Sequence, residues 1–143
     1  MKSDTPVRIF LDSNVWFSAF YGSANCEKLI RTDKSRRTLI ISEQVLEEST
    51  RNIKEKIPHQ LLNFKTALLT NPPELVSDPQ TIPADSNHTV AREDRPIFAA
   101  AISAHADYFV TGNIKDFKRN RQKKIGKITI LTPKEAVEML RLE

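Results

Sequence analysis

Short apolar runs of strand length alternate along this chain with segments whose apolar residues recur at helical spacing. The runs cover residues 7–11, 38–41, 108–110 and 128–131. Parallel strands need crossover connections, which are usually helices, so this alternation predicts a mostly parallel sheet with helices on both faces. The predicted fold class is therefore α/β, a three-layer α/β/α sandwich.

The segments between the strands carry helix signals. They predict helices over residues 45–57, 58–69 and 97–104, and a last helix that begins at Thr132. The last helix has the pattern of a capping box with proline at the first helical position. The alanines of residues 97–104 predict close packing of that helix, and a short strand at residues 75–76 precedes a polar loop.

The length of 143 residues suits one domain with a hydrophobic core, so we predict a single domain over residues 1–143. The one cysteine, Cys26, excludes an intramolecular disulfide and indicates a reduced, intracellular protein. We find no signal-peptide pattern and no apolar run of membrane-spanning length. The expectation is a soluble cytoplasmic protein without membrane contacts.

Acidic and amide side chains recur where the predicted strands end. Asp12 follows the first run, Asn113 and Asp116 follow the run at 108–110, Asp94 begins the helix before that run, and Glu48 lies on the helix after the second run. Each alone fits a helix cap, a turn or a solvated helix position. Their recurrence at one edge of the sheet, where α/β folds bind ligands, favours a shared site.

Several carboxylates in one cleft repel one another, so such a site needs cations. A set of oxygen ligands favours Mg²⁺ or Mn²⁺. One cysteine and three histidines without ligand spacing make zinc and copper poor candidates.

The net charge of +4 and the isoelectric point near 9.3 favour an anionic partner such as nucleic acid. Two basic clusters stand out, each with a solvated turn as the alternative interpretation. The first is Arg31, Lys34, Arg36 and Arg37, and the second is Lys118, Arg119, Arg121, Lys123, Lys124 and Lys127.

The chain resembles the PIN-domain family from Val7 to Leu140. Four blocks carry the resemblance, namely residues 7–15, 41–48, 94–101 and 106–117, and residues 128–135 resemble the start of the family's last strand and helix. In the four blocks the family's acidic positions fall on Asp12, Glu48, Asp94 and Asp116.

Two of these positions leave alternatives open. Glu47 is the near rival of Glu48, and Glu43 is a more distant one. Many members carry aspartate where this chain has Asn113, whereas in others the later aspartate is the acid, as Asp116 would be here.

The resemblance implies a metal-dependent endoribonuclease that cleaves an RNA phosphodiester bond. Its four acids would hold Mg²⁺ or Mn²⁺. Asp12 and Asp94 would be direct ligands, and Glu48 and Asp116 would be ligands or hold coordinated water. Supporting roles fall to Asn14, Thr111 and Asn113, and RNA phosphates would be contacted by Lys118, Arg119, Arg121, Lys123 and Lys124. The short length resembles the stand-alone VapC-like toxins of prokaryotic toxin–antitoxin pairs, which implies a cognate antitoxin protein and a homodimer.

Two other functions are compatible with parts of this sequence. Asn113 favours a PIN-like module that cuts RNA weakly or not at all and acts by binding RNA or protein. A haloacid-dehalogenase-like phosphohydrolase, in which a strand-ending aspartate attacks phosphorus, is disfavoured because Asn14 stands where that family needs a second aspartate.

Overall fold

The computed structural model describes residues 6–33, 35–79, 95–112 and 124–142. The strands are β1 (Val7–Leu11), β2 (Arg37–Ser42), β3 (Glu74–Val76), β4 (Tyr108–Val110), β5 (Lys124–Ile125) and β6 (Ile128–Leu131). The helices are α1 (Ser13–Phe20), α2 (Ala24–Ile30), α3 (Glu43–Lys56), α4 (Leu61–Thr70), α5 (Arg95–Ser103) and α6 (Pro133–Met139). A short 3₁₀ helix, Pro58–Gln60, precedes α4.

The sheet has the strand order β3-β2-β1-β4-β6-β5. Neighbouring strands are parallel throughout except for β5, which pairs antiparallel with β6. Helix α1 contacts α2 and α3, and α2 contacts α6, whereas α5 contacts β2. Right-handed crossovers place α5 on the face opposite α1 to α4, because the chain returns across the sheet after β3. The predicted three-layer α/β/α fold is confirmed.

The core lies along the central strands. Phe10 of β1 stacks on Phe109 of β4, with ring centroids 5.5 Å apart, and Phe98 of α5 meets Phe109 edge to face at 5.0 Å. All three rings are fully buried. Strands covered on both faces need continuous apolar runs, which explains why β1 and β2 lack the alternation of a half-exposed strand.

The predicted start of the last helix is confirmed. The Thr132 hydroxyl accepts a hydrogen bond from the backbone N–H of Glu135 at 3.1 Å, and the Glu135 carboxylate accepts one from the backbone N–H of Thr132 at 2.9 Å. This reciprocal capping box satisfies two N–H groups at the start of α6.

Three local features differ from the sequence prediction. Helix α2 was not predicted; it begins after the Ser23 cap, whose hydroxyl accepts from the N–H of Cys26. The segment 58–69 forms a 3₁₀ helix before α4 instead of one continuous helix. Strand β5 has only two residues, too few to give a recognisable pattern. Among the described residues, no helix has the length and apolar character needed to cross a membrane.

The alanines of α5 are as closely packed as the sequence predicts, because Ala99, Ala100 and Ala101 have no exposed surface. We expect Ala100→Leu to lower the free energy of unfolding by about 1–3 kcal/mol through overpacking. The control is Ala67→Leu in α4, because Ala67 lines an open cleft of about 460 Å³ and has room for the larger side chain. Urea denaturation measures the free energy of unfolding of both variants, and an equal decrease in the two would contradict the packing argument.

Candidate metal centre

Four polar residues lie at the carboxyl edge of the parallel strands. Asp12 directly follows β1, Thr111 directly follows β4, and Asp78 follows β3 by two residues. Glu48 lies on the second turn of α3, which begins directly after β2. Because parallel strands end together, these side chains share the edge where α/β folds bind ligands.

Asp12 is fixed by its place between β1 and α1. Its extended backbone makes it the N-cap of α1, and its carboxylate accepts from the N–H of Ser13 at 2.8 Å. The second oxygen accepts from the Thr111 hydroxyl at 2.9 Å and from the Asn14 amide at 3.4 Å. Only 4% of Asp12 is exposed. Asp12 therefore caps α1, as one interpretation of the sequence predicted, and it also belongs to the polar cluster.

Asn14 ties α1 to the segment after β4. Its side-chain amide also donates to the Thr111 hydroxyl at 3.3 Å, and its carbonyl oxygen accepts from the N–H of Gly112 at 2.8 Å. A Cβ atom at position 112 would lie 3.3 Å from that carbonyl oxygen, so glycine permits the close approach. Asn14 and Thr111 therefore hold the Asp12 carboxylate in one orientation.

Glu48 reaches the same cluster from α3. Its two carboxylate oxygens accept from the Ser13 hydroxyl at 3.0 Å and from the Gln44 amide at 3.2 Å. Ser13 thus donates its N–H to one acid and its hydroxyl to the other. The rival residues Glu43 and Glu47 are exposed, and Glu47 lies on a surface patch with Thr50, Arg51 and Lys54.

The electrostatics of the cluster disfavour its negative charge. Burial raises the pKa of Asp12, and the charge of Glu48 raises it further, against the lowering effect of the hydrogen bonds from Ser13, Thr111 and Asn14. Within the described residues, neither carboxylate forms an ion pair with lysine or arginine. A bound cation would compensate the negative charge of the two carboxylates.

The donor atoms of the cluster fit a hard divalent cation. The cluster offers the carboxylate oxygens of Asp12 and Glu48, the kind of ligand that Mg²⁺ and Mn²⁺ prefer, and no sulfur or imidazole contacts Asp12 in the described part of the chain. Of the described residues, only two acids meet there, and these residues contain no group of three or more potential ligands.

Several predicted site residues lie outside the described residues. They are Asp94, Asn113, Asp116, Lys118, Arg119, Arg121 and Lys123. The backbone of Lys124 pairs with Thr129 in the sheet. The structure thus brings together Asp12, Glu48, Asn14 and Thr111 of the predicted set.

Gln44 and Asp78 were missed as part of this network. The N–H of Gln44 donates to Asp78 at 2.9 Å, while its side chain donates to Glu48. The spacing of four residues between Gln44 and Glu48 on a helix was the available signal for one contact. For Asp78, the signal was its position after a third strand.

The fold and the acidic residues at this edge define a class of protein, namely α/β domains that gather acidic side chains at the carboxyl ends of a parallel sheet. No family model and no curated protein matches the sequence. VapBC2 from Rickettsia felis bound to a promoter DNA fragment matches with a TM-score of 0.60 and 20% identity, covering 88% of this chain and 98% of that chain. DNA-bound VapBC from Salmonella typhimurium gives a TM-score of 0.59 and 20% identity, covering 89% and 98%.

These matches are in structure at low sequence identity, so they show the fold. The chain has the fold of the VapC toxins, which is the PIN-like fold that the sequence predicts.

Proposed function

We propose that this chain is a cytoplasmic, metal-dependent endoribonuclease and the toxin of a toxin–antitoxin pair. The observation that carries the proposal is the buried Asp12 carboxylate, joined to Glu48 through Ser13 without a cationic side chain among the described residues. Holding a half-buried acid beside a buried one is unfavourable unless a cation is bound. The VapC-like fold and the PIN-type sequence blocks support this reaction class.

Asp12 and Glu48 would hold Mg²⁺ or Mn²⁺ with Asp94 and Asp116, which stand at the matching positions of the sequence. When bound, such a cation activates water and neutralises negative charge on the phosphodiester. Asn14 and Thr111 orient Asp12, so that its carboxylate does not need to reorganise when the substrate binds. Asn113 would serve as a neutral orienting group.

The proposed partners are RNA, an antitoxin protein and a second copy of the chain. The RNA would be held by the basic residues of the segment 118–124, whose phosphate contacts weaken with salt. The antitoxin is supported by the two solved structures, which are VapBC complexes. The homodimer is supported by the sequence resemblance alone.

A PIN-like module that binds RNA or protein without cleaving is the second candidate. The observation that favours it is Asn113, an amide where many members of the family carry an acid. Loss of one carboxylate weakens cation binding.

Cleavage of structured and single-stranded RNA by wild type and Asp94→Asn distinguishes the two functions. We expect wild type to cut with Mn²⁺ or Mg²⁺ and to stop in EDTA, and the variant to lose activity by about a hundredfold or more. Circular dichroism confirms that both proteins are folded. RNA binding without cleavage by wild type in any metal would favour the binding module.

A further inference from the structure

Glu48 is held from two different helices. Ser13 of α1 donates to one carboxylate oxygen at 3.0 Å, and Gln44 of α3 donates to the other at 3.2 Å. A carboxylate offers about four acceptor positions, so two remain for another ligand. The two hydrogen bonds restrict a side chain with several rotatable bonds to one orientation.

Gln44 is itself fixed at the start of α3. Its backbone N–H donates to Asp78 at 2.9 Å, while the Ser42 hydroxyl caps the next N–H, that of Val45, at 3.2 Å. Asp78 therefore acts as a second cap, supplied from the segment after β3. A negative charge is stabilised at the N-terminus of this 14-residue helix.

The other oxygen of Asp78 is buried, and no hydrogen-bond partner contacts it among the described residues. The oxygen that does accept a hydrogen bond receives it from the N–H of Gln44. Ser13 and Gln44 therefore contact the Glu48 carboxylate directly, and the segment after β3 is linked to it through the contact between Asp78 and Gln44.

We propose that Gln44 is a positioning residue that fixes Glu48 for cation binding, and that Asp78 sets the position of Gln44. This inference rests on the proposed function. A neutral amide suits the role because it orients a carboxylate without neutralising the charge that the cation needs. Hydrogen-bonding partners of metal ligands commonly affect metal affinity by about 10–100-fold.

The test is Gln44→Met, which keeps the length of the side chain and removes the donor. Calorimetric titration of Mn²⁺ into RNA-free protein should show affinity weakened about tenfold. In cleavage assays at fixed Mn²⁺, kcat should fall while KM for RNA stays within about twofold, because Gln44 holds an acid and not the substrate. Gln44→Leu is a second variant without the donor, for use if the first does not fold.

Asn63→Met is the matched control. It also removes a side-chain amide that donates an exposed hydrogen bond, here from α4 to Gln60 of the preceding 3₁₀ helix, so its Mn²⁺ affinity should equal that of wild type. Asp78→Ala should weaken Mn²⁺ binding in the same direction as Gln44→Met, and Asp78→Asn, which keeps an acceptor oxygen, should weaken it less.

The outcomes separate this inference from the proposed function. If wild type binds Mn²⁺ and folded Gln44→Met binds it equally well, the positioning role is wrong and the proposed function stands. If wild type binds neither Mn²⁺ nor Mg²⁺, the proposed function fails and the positioning role fails with it. A lower melting temperature in EDTA with unchanged Mn²⁺ affinity would make Gln44 a purely structural residue.

Discussion

Asp12→Asn should abolish metal-dependent RNA cleavage, lowering kcat by about a thousandfold, or ~4 kcal/mol in activation free energy. Asparagine has the shape of aspartate and is a good N-cap, so α1 should still form. The variant removes the most buried acid of the cluster, whose carboxylate would be a direct ligand. The measurement is single-turnover cleavage with Mn²⁺, with folding checked by circular dichroism.

The same variant should be at least as stable as wild type in EDTA. Burial and the charge of Glu48 raise the pKa of Asp12 above its value in the unfolded chain. As the pH rises past the unfolded pKa of about 3.9, the unfolded chain loses this proton first, so wild type loses stability until the folded group also ionises. The advantage of Asp12→Asn over wild type should therefore be larger at about pH 7 than at about pH 4.

Asp33→Asn is the matched control for this substitution. Asp33 is exposed in the turn before β2, and hydrogen bonds from Ser35 lower its pKa, which is the opposite direction to Asp12. This control should cut RNA at the wild-type rate. Its stability relative to that of wild type should not increase as the pH rises. Retained cleavage by folded Asp12→Asn would remove Asp12 from the catalytic site.

The strands and their order of appearance were predictable because they depend on local composition. The run at 7–11 coincides with β1, and the run at 38–41 lies within β2. Apart from Arg8 and Thr38, both runs are apolar because both faces of the sheet are covered. Helix α2 and strand β5 were missed because each is short and depends on tertiary contacts, α2 on α1 and α6, and β5 on β6.

The residues of the site that directly follow strands were predictable from the sequence. Asp12 and Thr111 follow neighbouring parallel strands, so the sheet brings them together and leaves a distance of 2.9 Å between the hydroxyl and carboxylate oxygens. The contact between Gln44 and Asp78 could not be predicted in the same way, because it depends on how the segment after β3 turns towards α3. Side-chain geometry of that kind follows from packing and not from local sequence pattern.

The choice between Glu47 and Glu48 as the acid of the cluster also depends on side-chain geometry. Adjacent residues on a helix point about 100° apart, so only one of them can face the sheet edge. Glu48 shares Ser13 with Asp12, whereas Glu47 lies on the exposed surface near Arg51 and Lys54. The two positions therefore form a natural pair for a charge-matched comparison.

Glu48→Gln should lower kcat for RNA cleavage by about a hundredfold, or ~2.7 kcal/mol, whereas Glu47→Gln should change it by less than about twofold. Both variants remove one negative charge and preserve side-chain size, so a general charge effect on RNA binding would appear equally in both. Only Glu48→Gln should also weaken Mn²⁺ binding to the RNA-free protein. Equal losses in the two variants, or a larger loss for Glu47→Gln, would show that the acid facing the cation had been wrongly chosen.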